Sequence, residues 1–111
     1  MSSIDKRGVR DWWLQRLSAW LILLYVPVLM AWIALQHPSS YQEWAVLFSP
    51  IVMKVLATLA LLGIVVHAAI GFWVVATDYI KCDRARKLAT ILMHVLITGS
   101  ALVLGIMLWM V

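Results

Sequence analysis

Three stretches of this chain, Leu17 to Leu35, Ile51 to Ala76 and Leu88 to Val111, stay apolar for long enough to cross a lipid bilayer. A helix crosses the hydrocarbon core in about 20 residues at about 1.5 Å each. No water reaches that depth to pair backbone N–H and C=O groups, so each span must satisfy its own. A helix does this, an isolated strand does not, and three segments cannot close a barrel. The expected fold is therefore all-α and integral to the membrane, a three-transmembrane-helix bundle with helices over about 17–35, 51–76 and 88–111. Composition agrees: hydrophobic residues are 65% of the 111 and charged ones 13%, against about 45–50% and about 25% in soluble domains. A soluble globule, a disordered tail and a disulfide scaffold are excluded. The length predicts one domain over 1–111, with no linker and no internal repeat.

The net charge of +4 carries topology. No stripe of Lys and Arg set in polar surface exists to meet phosphates, so nucleic acid is not an expected partner; the lipid bilayer is. Of the nine basic residues, Lys6, Arg7, Arg10 and Arg16 precede the first span and Lys81, Arg84, Arg86 and Lys87 lie between the second and third. Only Lys54 is on the other side. Cytoplasmic loops carry the excess of Lys and Arg, which places the N-terminal segment 1–16 and the loop 77–87 inside and the C-terminus outside. The first apolar run exceeds a signal-peptide core of about 7–15 residues and is read as a retained span. Trp12, Trp13 and Trp73 then fall at the inner interface and Trp32, Trp44 and Trp109 at the outer one, where aromatic belts form.

Local signals mark the boundaries. Ser49-Pro50 reads as an N-cap followed by Pro at the first helical position, and Asp83 as a cap for the third span. Ser40-x-x-Glu43 is a capping-box pattern that opens a short interfacial helix through Trp44 to Phe48. Pro27 interrupts the first span as a tolerated kink. Cys82, the one cysteine, falls in a reducing cytoplasmic loop, and no Cys-x-x-Cys-His exists to attach a c-type haem.

Ionisable groups at membrane depth are costly and carry most of the functional information. Lys54 stands in the first turn of the second span and is expected to snorkel to the headgroups. His67 stands near the middle of that span and reaches neither interface. Its imidazole needs either a hydrogen-bond partner, such as a Ser or Thr hydroxyl on a neighbouring helix, or a metal. The spacing Gly63-x-x-x-His67-x-x-x-Gly71 leaves side-chain-free positions one turn above and below the ring, which suits a flat macrocycle and equally suits close helix packing. Eleven residues on, Asp78 returns to within about 20° of the His67 face and about 16 Å away along the axis. With Tyr79 it reads either as an ordinary helix end or as a polar mouth above a buried cofactor. Arg16 lies at the same cytoplasmic depth, facing lipid phosphate or a cofactor carboxylate. His94, in the third span, could bond backbone, meet lipid or ligate a metal.

The run His67-Ala68-Ala69-Ile70-Gly71-Phe72-Trp73-Val74-Val75-Ala76-Thr77-Asp78-Tyr79-Ile80-Lys81 resembles the second-helix signature of the small membrane-anchor subunit, the D chain, of bacterial succinate dehydrogenase, which is complex II. Length, three spans and Arg16-x-Ser18-Ala19 at the start of the first extend the likeness. The resemblance implies a subunit of succinate:quinone oxidoreductase in the bacterial inner membrane, at the junction of the tricarboxylic acid cycle and the respiratory chain. It implies a haem b shared with a second membrane-anchor cytochrome b subunit, with His67 as one axial ligand to iron. It implies Arg16, Gly63 and Gly71 in the haem surroundings, and Tyr79 with Asp78 at a ubiquinone site, the Tyr79 hydroxyl bonding a quinone oxygen. Electrons arrive from a flavoprotein subunit through an iron–sulfur subunit, and the chain alone is expected to have no catalytic activity.

Three rivals stand beside it. A self-contained cytochrome would clamp haem between His67 and His94 of one chain, although counting from Asp78 and Leu88 offsets the two rings by about 6 Å. A fumarate reductase-type anchor would share the same architecture. A proton-coupled transporter would favour a carboxylate inside a span, whereas Asp5, Asp11, Glu43, Asp78 and Asp83 lie outside or at the edge.

Overall fold

The computed structural model describes the backbone of residues 3–111 and the side chains from residue 8 onward. Four helices follow in order: α1 Ser3–Gln36, α2 Tyr41–Phe48, α3 Ile51–Tyr79 and α4 Asp83–Met110. The described residues contain no strand. Mean hydropathy reaches 2.1 in α1 and 2.3 in both α3 and α4, so three helices are long and apolar enough to span a membrane, and the chain is a multi-pass membrane protein.

The helices outrun the apolar stretches, because apolarity marks the thickness of hydrocarbon and helicity continues wherever the backbone keeps its ladder. α1 is helical from Ser3, well before Leu17. α3 carries Thr77, Asp78 and Tyr79 in its last turn, and α4 already begins at Asp83, so the connection between them shrinks to residues 80–82. Asp83 is thus the first helical residue and not the cap, which is Cys82. There its carboxylate suits the positive end of the helix dipole and holds the Arg86 guanidinium at 2.7 Å. Ser49 likewise does not cap α3. It closes α2, donating its N–H and its hydroxyl to the Val46 carbonyl at 3.4 and 3.0 Å. Pro50 is the N-cap of α3, since its own carbonyl accepts the first helical bond, from Lys54 N–H at 3.1 Å.

Ser40 caps α2 as its sequence pattern implies, accepting the Glu43 N–H at 3.2 Å. The Glu43 carboxylate reaches one residue further back than a reciprocal box requires, taking the backbone N–H and hydroxyl of Ser39. These donors hold the Glu43 carboxyl below its ordinary value, the Ser39 backbone N–H contributing most. α1 passes through Pro27 unbroken and ends where His37 takes the left-handed conformation, φ 48°, its N–H bonded to the Ile33 carbonyl at 3.1 Å.

α3 is the middle element. α1 and α4 both pack along it, and α2 rests against it. What little is buried is mostly small: Ala60, Gly63 and Ala76 on α3, with Ser18 from α1 and Leu47 from α2. Small residues let membrane helices approach closely where no hydrophobic driving force operates between them. The outward faces of all three long helices are lined with exposed Leu, Val, Ile and Trp. Contiguous apolar surface on this scale marks contact with lipid or other chains.

Candidate functional site

The helical spacing around His67 resolves into a ladder between antiparallel α1 and α3. At Gly63, a Cβ would stand 2.9 Å from Leu21 Cδ2. One turn on, the His67 ring meets Ser18. Another turn on, a Cβ at Gly71 would stand 3.6 Å from Gln15 Nε2. Steps of four on α3 thus match steps of three on α1, the ridge-into-groove pairing of near-antiparallel helices. Of the two uses open to the glycines, packing against α1 is visible here; Gly63 is filled by Leu21, while Gly71 meets only the end of a flexible side chain.

Ser18 is the one buried polar side chain among the described residues, at 6% exposure. Its Oγ lies 3.2 Å from His67 Nδ1 and 3.0 Å from the Gln15 carbonyl. This is the hydroxyl partner that a mid-membrane histidine requires, and it engages one ring nitrogen only. Nε2 makes no hydrogen bond among the described residues. Gln15 Oε1, in the same seam, is buried without a partner. Gln15 stands out by neither charge nor motif and Ser18 only as a member of Arg16-x-Ser18-Ala19; the signal was a pair of polar residues at threefold spacing in the wall of an apolar helix.

The remaining residues take these positions. Arg16 is exposed and stacks its guanidinium over the Trp12 ring at 5.1 Å. Asp78 and Tyr79 end α3, both exposed, Tyr79 at 80%, and neither has a partner among the described residues. His94 turns Nδ1 onto the Thr90 carbonyl of its own helix at 2.8 Å. It borders a recess of about 270 Å³ with Arg10, Asp11, Ala69, Ile70, Trp73 and Thr90. Counted from the observed helix ends at Tyr79 and Asp83, His67 and His94 lie about 18 and about 16 Å from the turn. The offset expected from the sequence therefore largely vanishes, because α4 begins earlier than its apolar run.

Lys54 departs from simple snorkelling. Its ammonium donates to the Val111 carbonyl at 3.2 Å and sits 5.8 Å from the Trp109 ring centre. The Trp109 indole in turn donates to Thr58 Oγ1 at 2.8 Å, and Thr58 donates to the Lys54 carbonyl at 2.7 Å. This cluster ties the start of α3 to the end of α4.

Three spanning helices, a histidine at mid-depth and a polar helix end beside a short basic turn describe a small multi-pass membrane subunit. The model of the succinate dehydrogenase/fumarate reductase transmembrane subunit family matches residues 3–105, and the chain belongs to that family. It is also similar to a succinate dehydrogenase hydrophobic membrane anchor subunit from Coxiella burnetii, 36% identical over 95 residues that cover 86% of this chain and 83% of the relative.

Proposed function

We propose that this chain is the anchor of a succinate:quinone oxidoreductase in a bacterial inner membrane, where it supplies one axial ligand to a haem b and part of a ubiquinone site. The family match over residues 3–105 supports the haem reading most; the Ser18 hydroxyl alone meets the need of His67 for a partner, and it is compatible with haem because it engages Nδ1 and leaves Nε2 for iron. The second ligand is drawn from a neighbour, as the family resemblance implies: a second membrane-anchor cytochrome b subunit. Gly71 leaves room beside the ring, Gly63 brings α1 close enough for Ser18 to reach it, and Arg16, paired only with an aromatic face, is available to a propionate. Bound there, the group supplies one-electron transfer.

Quinone reduction consumes two electrons and two protons, so its site has to be apolar for the isoprenoid tail and still offer a donor to the oxygen that gains charge. The exposed Tyr79 hydroxyl, on the last turn of an apolar helix, meets both demands. Asp78 orients neighbouring polar groups or passes protons through water, since an ionised carboxylate against the ring would repel a developing anion. A flavoprotein subunit and an iron–sulfur subunit deliver electrons on the cytoplasmic side, the side assigned to the 80–82 turn by eight of the nine basic residues. A reporter fused at Val111 should accordingly score as external; a cytoplasmic score overturns the orientation.

The nearly equal depth of His67 and His94 favours one other arrangement, a clamp within a single chain, since the Thr90 bond leaves His94 Nε2 free just as the Ser18 bond leaves His67 Nε2 free; it requires both rings to turn toward one site, whereas the Ser18 contact turns His67 onto α1. The test of the proposal is the complex purified from membranes through a tag on this chain. A b-type α band with stoichiometric flavin and iron–sulfur subunits supports it, and a haem-free anchor refutes the haem reading.

A further inference from the structure

Ser18 belongs to the Arg16-x-Ser18-Ala19 pattern at the start of the first span, which assigns it no role, yet it is the one polar side chain that the described fold buries. Burying a hydroxyl in a membrane helix is unfavourable unless it is bonded, and a bond back to its own helix already satisfies it. Its second contact, to His67 Nδ1 at 3.2 Å, therefore asks for a reason.

Proton counting supplies one. The hydroxyl has a single proton and two neighbours, the Gln15 carbonyl at 3.0 Å and His67 Nδ1. A carbonyl only accepts, so both contacts are hydrogen bonds at once only when the Ser18 proton goes to Gln15. Nδ1 then carries the imidazole proton and donates it to Ser18 Oγ, and a neutral ring with Nδ1–H has its lone pair on Nε2. The order Nδ1–H to Oγ–H to carbonyl is a one-way relay that ends on the α1 backbone.

We infer that Ser18 is a positioning residue that fixes the tautomer and the plane of the His67 ring, so that Nε2 is presented to haem iron as a good donor. The inference rests on the haem reading above. A ligating histidine whose other nitrogen donates a hydrogen bond is oriented by it and made more basic, and loss of such a partner typically weakens metal binding about 10- to 100-fold. A more basic ligand favours the oxidised iron, so Ser18 also lowers the midpoint potential of the haem. The backbone end of the relay matters too: Gln15 lies on the rigid α1, and the ring is thereby referenced to a helix and not to a mobile side chain.

The experiment compares Ser18→Val with Ser18→Thr in the intact complex from membranes. The two side chains are nearly isosteric and differ in the hydroxyl. Haem content, the low-spin electron paramagnetic resonance signal and the midpoint potential are measured. Ser18→Thr should retain wild-type values for all three. Ser18→Val should shift the low-spin g values, raise the potential and retain haem about 10- to 100-fold less tightly. A valine variant with wild-type potential and signal overturns the inference, and so does equal damage in both variants, because the hydroxyl would then not be the cause. A wild-type complex lacking low-spin haem, or a His67→Leu complex that keeps it, overturns the His67 reading itself and takes the inference with it.

Discussion

The two ends of α3 treat their polar groups in opposite ways. Where α3 begins, Lys54, Thr58, Trp109 and the Val111 carbonyl bond to one another in a closed set. From mid-depth to its last turn, the same helix leaves His67 bonded on one nitrogen only, and Asp78 and Tyr79 without partners, among the described residues. A buried polar group is stable only when satisfied, so the closed set is complete as it stands, whereas the open set still has capacity for groups outside the chain, His67 Nε2 at mid-depth and Asp78 and Tyr79 at an exposed helix end. The first holds α4 to α3. The second is where the proposed function puts a cofactor, a substrate and other subunits.

Mutations at the open end should therefore affect function without unfolding the chain, and those at the closed end should do the reverse. The largest effect is expected for Tyr79→Phe, which removes the proposed donor to quinone. Quinone turnover should fall by about 100-fold, the order found when one transition-state donor is deleted, while succinate oxidation with a soluble acceptor stays normal. Equal loss of both activities would place Tyr79 in assembly instead. Asp78→Asn removes charge but keeps a polar group, and should slow quinone turnover by less, with a steeper decline toward high pH as proton delivery becomes limiting.

At the closed end, Thr58→Val leaves the Trp109 indole unpaired. Membrane hydrogen bonds average about 0.6 kcal/mol in mutant cycles, so the complex should lose a degree or two of thermal stability with no change in turnover. Failure of turnover in Thr58→Val would break the distinction between the two ends. The smallest effect concerns α2. The Ser39 and Ser40 donors depress the Glu43 carboxyl below its unfolded value, so the stabilisation is complete above the ordinary glutamate range and is lost as pH falls through the depressed value. The protection factor of the Ser39 amide, which donates to the Glu43 carboxylate, should fall only on acidification, and Glu43→Gln should flatten that dependence.

Much of this contrast is present in the residues. Bilayer thickness imposes a length on any apolar helix, so the three spans and the mid-depth position of His67 follow from the pattern alone. Ser40 and Glu43 read as a cap because side-chain capping is local. The helix ends at Ser49, Pro50 and Asp83 were displaced because two residues compete for each cap, and backbone geometry decides which carbonyl accepts first. Longer-range pairings were out of reach. The Lys54 stem is long enough for headgroups or for α4, and only the crossing of α3 and α4 selects the Val111 carbonyl. Ser18 is a hydroxyl in an apolar wall, and nothing local says that the ring opposite it is His67. The Gly63 and Gly71 spacing is equally ambiguous, since close packing and a planar ligand make the same demand for missing side chains.

The account turns on His67 being this chain's sole contribution to haem ligation. Electron paramagnetic resonance of intact complexes bearing His67→Leu or His94→Ala tests this most directly. His67→Leu should abolish the low-spin bis-histidine signal while His94→Ala leaves it in place. Loss of the signal in His94→Ala, or its survival in His67→Leu, would contradict the account.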